Sequence, residues 1–380
     1  MIINIKEHDG SGTFPWEFSH AVHADMWQNR CYDPARYWGK FDRGHETEAA
    51  VIPDYAIARF IKHGPPVLSP TPGQWDCGRF GGGVHNGSIL VKDGIFYYIY
   101  RGEMPLPPEK RAISSIDYIC DIGVATSADG IHFEKRYDVS PFFRHGADEK
   151  YSYEDVNVVE HDGRYYMFVN RWDWGDLQNP KGGGVYIAVS DDLLHWEKVG
   201  LAFPNADRIH RNACVLQNPH NQAVRVNGKF VMYLNYGLIA FSDDLIHWES
   251  EETDQTWPGG ENCFALADYD AANPDRILVF TGGHHTGFYY AIGEVLLDKS
   301  NVKQPLSWLM RPALYPETHI PHEDGYSYTV PPRPVSDWRN TIFFTGMTLH
   351  RGKWWIYYGG SEYYTCLAHS FDHAQEVKTE

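Results

Sequence analysis

The residues best suited to chemistry stand in Tyr151-Ser152-Tyr153-Glu154-Asp155-Val156-Asn157-Val158-Val159, where two adjacent carboxylates open a β-branched run. Aspartate and glutamate are depleted inside strands, so a pair at a strand head needs a reason. Glycoside cleavage gives one, because a carboxyl group must protonate the departing oxygen. Taken alone, the pair reads equally as a turn cap or a surface ion pair. Because neighbouring strand residues point to opposite faces, Glu154 and Asp155 are expected to do different jobs. Candidates for a second carboxylate, activating water from the other side, are Glu261, Glu323 and Glu362. Of these, Glu261 lies in Gly259-Gly260-Glu261-Asn262, a loop whose glycines permit close approach to a ligand. An inverting enzyme holds its two carboxyl groups ~6.5–9.5 Å apart.

Composition narrows the partners. Aromatic residues make up 15% of the chain, with 13 Trp and 25 Tyr, more than a core requires. Trp and Tyr suit flat ligands with polar rims, which describes sugar faces, although packing between sheets takes its share. Trp75, Trp172 and Trp174 are the candidate stacking platforms. A formal charge of −17 argues against nucleic acid or an anionic membrane as partner, and any anion pocket must be built locally. The six cysteines have no zinc-type spacing, and His20, His23 and His45 have none either, so no metal or cofactor is expected. The cysteines read as buried thiols of a reduced compartment, and no signal-peptide core or long apolar run occurs; a cytoplasmic protein is expected.

One pattern positions these residues. Asp93-Gly94, Asp162-Gly163, Asn227-Gly228, Asp275 and Arg351-Gly352 each lead into an aromatic, β-branched run, the signature of a hairpin. A second element, Ser127 to Phe133, returns as Ser190 to Trp196 and Ser242 to Trp248, so His195, Trp196, His247 and Trp248 read as packing residues of a repeat. Five hairpin units predict an all-β fold, a five-bladed β-propeller over residues 66–380. Residues 1–65 are expected to form a partly helical extension packed on it, with helical periodicity around Tyr55 to Ile61.

With these motifs in order, the chain resembles glycoside hydrolase family 130, the five-bladed propellers of mannoside phosphorylases and mannosidases, over roughly residues 65–370. The similarity runs through Val84-His85-Asn86-Gly87-Ser88 and Tyr100-Arg101, the Ser-to-Trp repeats, Tyr290 to Asp298, Arg311 to Glu317 with His322-Glu323-Asp324-Gly325, Phe344-Thr345-Gly346, and Tyr357 to Glu362. Glu154-Asp155-Val156-Asn157 resembles the family's Glu-Asp-Pro-Arg catalytic motif, which implies that Asp155 is the general acid. It also implies that Asn86, Ser88 and Arg101 lie near the sugar subsite, and that Glu362 replaces an aspartate that binds sugar hydroxyls.

The departures bear on the nucleophile. The family's phosphorylases hold phosphate with basic residues, including the arginine of that motif, here Asn157, and a lysine that falls near Arg211. A phosphate dianion in a dry pocket needs several charge-assisted donors, and Arg171, Arg208, Arg211, His284 and His285 are the compensating candidates. The expectation is therefore inverting hydrolysis of a β-mannoside or related oligosaccharide, with Asp155 as acid and Glu261 as its partner. Phosphorolysis releasing mannose 1-phosphate is the alternative, and a non-catalytic sugar-binding propeller is a third reading. The related arabinanase and fructosidase type expects a further acid in the first blade, where Asp76 is the obvious offer. Family members often pair through such extensions, which implies a homo-oligomer.

Overall fold

The computed structural model of this 380-residue chain describes residues 53–370 except 58–59, 107–117, 144–149, 174–181, 236, 254–258, 285–289, 310–311, 318–319, 330–332 and 337. The described elements are all strands. After β1 (Phe60–Lys62), a first blade comprises β2 (Val84–Lys92), β3 (Ile95–Pro105), β4 (Tyr118–Ser127) and β5 (Glu134–Lys135). The second comprises β6 (Tyr151–His161), β7 (Arg164–Asp173), β8 (Gly184–Ser190) and β9 (Glu197–Leu201). The third holds β10 (Cys214–Gln217), β11 (Arg225–Val226), β12 (Lys229–Leu234), β13 (Leu238–Ser242) and β14 (Trp248–Glu252). The fourth holds β15 (Gly259–Ala267), β16 (Arg276–His284), β17 (Gly293–Asp298) and β18 (Ser307–Trp308). The fifth holds β19 (Ile342–His350), β20 (Lys353–Gly360) and β21 (Tyr364–Ser370).

This is a five-bladed propeller, as the repeats predict. The inner strands β2, β6, β10, β15 and β19 touch in sequence, and β19 returns to β2. Blades three and four are joined by a short parallel pairing, Leu216 with Ala265 and Gln217 with Leu266. Where blade five meets blade one, a Cβ on Gly346 would lie 2.3 Å from the Gly87 carbonyl, so only glycine lets the inner strands come this close. Four hairpin turns take the two-residue form with positive φ at both positions: Asp93-Gly94, Asp162-Gly163, Asn227-Gly228 and Arg351-Gly352.

Each junction between blades has its own apolar cluster. Val124 and Ile122 meet Val156 and Val158; Phe168 and Ile187 meet Phe230 and Met232; Val231 and Ile239 meet Ala265 and Val279. Phe264 and Phe280 meet Phe344 and Ile356, and Tyr357 and Leu367 meet Phe96 and Tyr98. Much of the aromatic surplus is spent here, at ~1.5–3 kcal/mol per fully buried large side chain. The Ser-to-Trp repeats are turns: in each, the serine Oγ caps backbone N–H groups, the aspartate accepts two more, and His132, His195 or His247 lies 2.7 Å from that aspartate.

The expected extension differs in its described part. Tyr55 to Ile57 form a turn and extended chain, and Phe60 and Ile61 lie on β1, which pairs with β21 as the outermost strand of blade five. Thus the last blade is completed by chain from the N-terminal side, and the pull of an edge strand needing a partner overrides the weak helical pattern. Residues 1–52, with Cys31 and the three early histidines, lie outside the described residues. The other five cysteines carry free thiols, buried except for the partly buried Cys77.

Docking of this segment carries a pH dependence. Glu294 on β17 is buried, accepts the Ile57 N–H at 3.1 Å through Oε2, and has no hydrogen-bond partner for Oε1. Burial pushes its carboxyl up to about 8. Because that lies above the unfolded value, the folded state retains a proton that the unfolded chain releases. Stability is then full below the ordinary glutamate range and falls by ~1.4 kcal/mol per pH unit until about pH 8. Glu294→Gln is expected to flatten this slope and to melt above the wild type at pH 8, measured by thermal unfolding between pH 5 and 9. Parallel curves for the two proteins would refute it.

Candidate active site

The inner strand of blade two is bulged between Glu154 and Asn157, and Asp155 there has φ 54°. The inner strand of blade one is bulged in the same way between His85 and Ser88, with Asn86 at φ 47°, and Asn212, just ahead of β10, has φ 56°. Asparagine and aspartate tolerate this left-handed region better than other side chains, and bulges re-aim side chains beside active sites. These three residues converge. Asn86 Nδ2 donates to Asp155 Oδ1 at 2.9 Å, and Asn170 Nδ2 donates both to Asp155 Oδ2 at 3.1 Å and to Asn212 Oδ1 at 2.8 Å. Asn170 Oδ1 accepts the Asn212 N–H.

Cations complete the surroundings of Asp155. Arg101 Nη1 lies 3.2 Å from Asp155 Oδ1 and 2.9 Å from Glu154 Oε2, while its Nη2 meets Glu103. Arg211 Nη2 is 4.0 Å from Asp155 Oδ2, and its guanidinium lies over the Trp172 ring at 4.7 Å. The bulge therefore sets both members of the pair against one guanidinium, where simple strand alternation predicts opposite faces. Their titration diverges even so. Burial pushes Glu154 up, and the Asp155 charge adds to this against the pull of Arg101. Burial also pushes Asp155 up, but Arg101, Arg211 and the Asn86 amide outweigh it and hold the carboxyl below its usual range.

A second charged layer backs the first. Glu103 is fully buried between Arg101, Arg79 (3.0 Å) and His85 (3.3 Å), and Glu362 lies 3.9 Å from His85 with a quarter of its side chain exposed. Donor atoms of His85, Glu103 and Glu362 fall within 4.8 Å of one another. A divalent cation among them would meet two guanidinium groups already on Glu103, which opposes its binding. On blade four, Glu261 is partly exposed and takes the Asn235 amide at 3.5 Å; Asn235 Oδ1 accepts the Asn262 N–H. Asn235 thus repeats on the next blade the bridging performed by Asn170.

Other residues singled out in the sequence are placed elsewhere. Ser88 and Asn157 are buried and accept the N–H groups of Val158 and Val215, tying blade one to two and two to three. Arg171 lies over the rings of Tyr151 and Tyr186 and donates to Gly182. Glu323 is fully buried with Lys62, Tyr358 and the Glu317 N–H, fastening β1 to blade five. Asp76 is buried against Tyr100, Tyr137 and Lys135, and Trp75 stacks on Tyr100, so both serve the packing of blade one. Arg208 pairs with Glu252 at the surface. The His284 side chain, His285 and Trp174 lie outside the described part. Asn170, Asn212, Asn235, Glu103 and His85 were not singled out by sequence reasoning. A signal was present: Arg101, Asn170 and Asn235 are the polar residues that directly follow the apolar run of the second hairpin strand in three blades.

A five-bladed propeller with a buried carboxylate pair on an inner strand, ringed by amides and guanidinium groups, is the arrangement that the resemblance to glycoside hydrolase family 130 implies. No family model matches the chain. Over 306 residues it is 27% identical to a 1,2-beta-oligomannan phosphorylase of Thermoanaerobacter sp. (strain X514), covering 78% of this chain and 92% of that protein. It is 24% identical over 320 residues to a beta-1,2-mannobiose phosphorylase of the same organism, with the same coverage. Among solved structures it superposes with a TM-score of 0.66 at 22% identity on one from work reporting that the GH130 mannoside phosphorylases contain hydrolases of beta-1,2 mannosidic linkages in Candida mannan, covering 84% of this chain and 95% of that one.

Proposed function

We propose that the chain cleaves β-1,2-linked mannosides by inverting phosphorolysis, releasing mannose 1-phosphate. Two curated relatives that share 78% of the chain are phosphorylases, which favours phosphate over the water that the sequence alone led us to expect. The observation that carries the reading is the cation Arg211, beside the position of the family's phosphate-binding lysine, stacked on Trp172 and 4.0 Å from Asp155. Asp155 donates a proton to the glycosidic oxygen as that bond breaks, while a phosphate oxygen attacks the anomeric carbon from the opposite face. The proton that phosphate gives up on forming its ester equals the one taken by the departing alcohol, so the carboxyl group is restored each turn. In the free protein Asp155 is held below its usual range by Arg101 and Arg211. A bound phosphate dianion beside Arg211 offsets that charge and raises the proton affinity of Asp155.

Hydrolysis is the second reading, favoured by Asn157, which stands at the motif's arginine position and holds the Val215 N–H, and by Glu261 as a base fixed by Asn235. Incubation with β-1,2-mannobiose and longer homologues, with and without inorganic phosphate, separates the two. The expected result is sugar phosphate formed only when phosphate is present. Free mannose at a rate indifferent to phosphate would establish hydrolysis, and no cleavage of any β-mannoside would overturn both.

A further inference from the structure

Phe80 is 58% exposed, one of few large apolar side chains left in solvent among the described residues. It is held there by a tight turn. The Arg79 N–H donates to the Gly82 carbonyl at 2.7 Å, the Gly82 N–H returns to Arg79 at 3.1 Å, and Gly81, at φ 86°, donates to Val335. The Arg79 side chain reinforces the turn: Nη1 donates to the Phe80 carbonyl, the guanidinium lies 4.0 Å from the centre of the Tyr118 ring, and Nε donates to Glu103. Glu103 in turn binds Arg101, the residue that holds Glu154 and Asp155. The turn then runs through Gly83 into β2, whose Asn86 donates to Asp155. An aromatic side chain is thus presented to solvent on rigid backbone, at the head of the inner strand and rooted in the same ion network as the acid.

We propose that Phe80 is a stacking platform for a sugar ring of the substrate remote from the scissile bond, so that the enzyme acts on β-mannoside chains longer than the disaccharide. The inference rests on the proposed cleavage of β-mannosides and specifies the length of the chain. The chemistry fits: one face of a pyranose presents C–H groups to an aromatic ring while its hydroxyls remain in water. A ring already fixed by its backbone loses little freedom when the sugar binds. The half-buried Trp338 lies beside the same turn, the edge of its indole against Gly81. A second copy of the chain is the competing occupant of an exposed phenyl ring.

The test compares kcat/KM on the disaccharide and the tetrasaccharide for the wild type, Phe80→Ala and Phe80→Trp, together with the mass in solution and the melting temperature of each. Phe80→Ala is expected to lose about tenfold on the tetrasaccharide through KM and less than about twofold on the disaccharide. Its melting temperature should be unchanged, and Phe80→Trp should restore the preference. Equal losses on both substrates, or no loss on either, would overturn the platform while leaving the cleavage reading intact. So would a dimer that becomes monomeric in Phe80→Ala with the length preference unaltered. A wild type that cleaves no β-mannoside of any length would remove the cleavage reading, and the platform with it.

Discussion

Asp155→Asn is expected to lower turnover on a β-mannoside by about 10²–10⁴-fold, the usual contribution of a general acid. Asparagine suits the site conformationally, since Asn86 and Asn212 adopt the same left-handed backbone, with φ of 47° and 56° against 54° at Asp155. Its carbonyl can still accept from Asn86 and Arg101, although its amide would then face the Asn170 amide. Some binding is lost, but the main loss falls on kcat, because the proton moves only in the transition state. An aryl β-mannoside, whose leaving group needs little protonation, should lose much less. Glu154→Gln keeps an acceptor for Arg101 and is expected to cost affinity or stability more than turnover. Single-turnover and steady-state rates of both variants on the two substrates check this. If Asp155→Asn keeps more than about a tenth of wild-type turnover on the natural-type substrate, Asp155 is not the acid.

What the sequence made legible was whatever is repeated or local. Asp93-Gly94, Asp162-Gly163, Asn227-Gly228 and Arg351-Gly352 could be read as turns because φ > 0 at two successive positions admits few residues, and each joins a strand directly to the antiparallel strand that follows it. The pair at Glu154 and Asp155 was visible because carboxylates are costly at a strand head. The partners of that pair were less visible, since Arg101, Asn170 and Arg211 reach Asp155 from three blades at separations no periodicity encodes. The inner-strand bulge hid the shared orientation of Glu154 and Asp155, because one inserted residue reverses the side to which the chain presents its side chains. Ser88 and Asn157 show the opposite error. Polar residues beside a catalytic motif look like ligands, yet here they hold backbone N–H groups of the neighbouring strand, a need that arises only once inner strands are packed without water.

Arg101 carries the largest stability effect expected of any single side chain here. It is buried, and it faces Glu103, Glu154 and Asp155 together. Removing one partner of a buried ion pair leaves an uncompensated charge and typically costs ~3–5 kcal/mol. Arg101→Gln leaves Arg79 on Glu103 and Arg211 beside Asp155, with a neutral amide where Glu154 had its ion pair. Without Arg101, Glu154, already pushed up by burial in the wild type, should move further above its unfolded value and Asp155 should rise above its own, so the folded variant takes up more protons and gains stability as pH falls towards the ordinary carboxylate range. In the wild type, by contrast, Asp155 is held below that range, and its contribution is present above the unfolded value and lost as pH falls through the folded one. The difference in melting temperature between the two proteins should therefore be large at pH 8 and shrink steadily towards pH 5. Arg101→Lys restores the charge as a single point unable to bridge three carboxylates, and should fall between them. A difference that stays constant across that range would mean that Arg101 acts through packing, and that the charges of the carboxylate pair are balanced elsewhere.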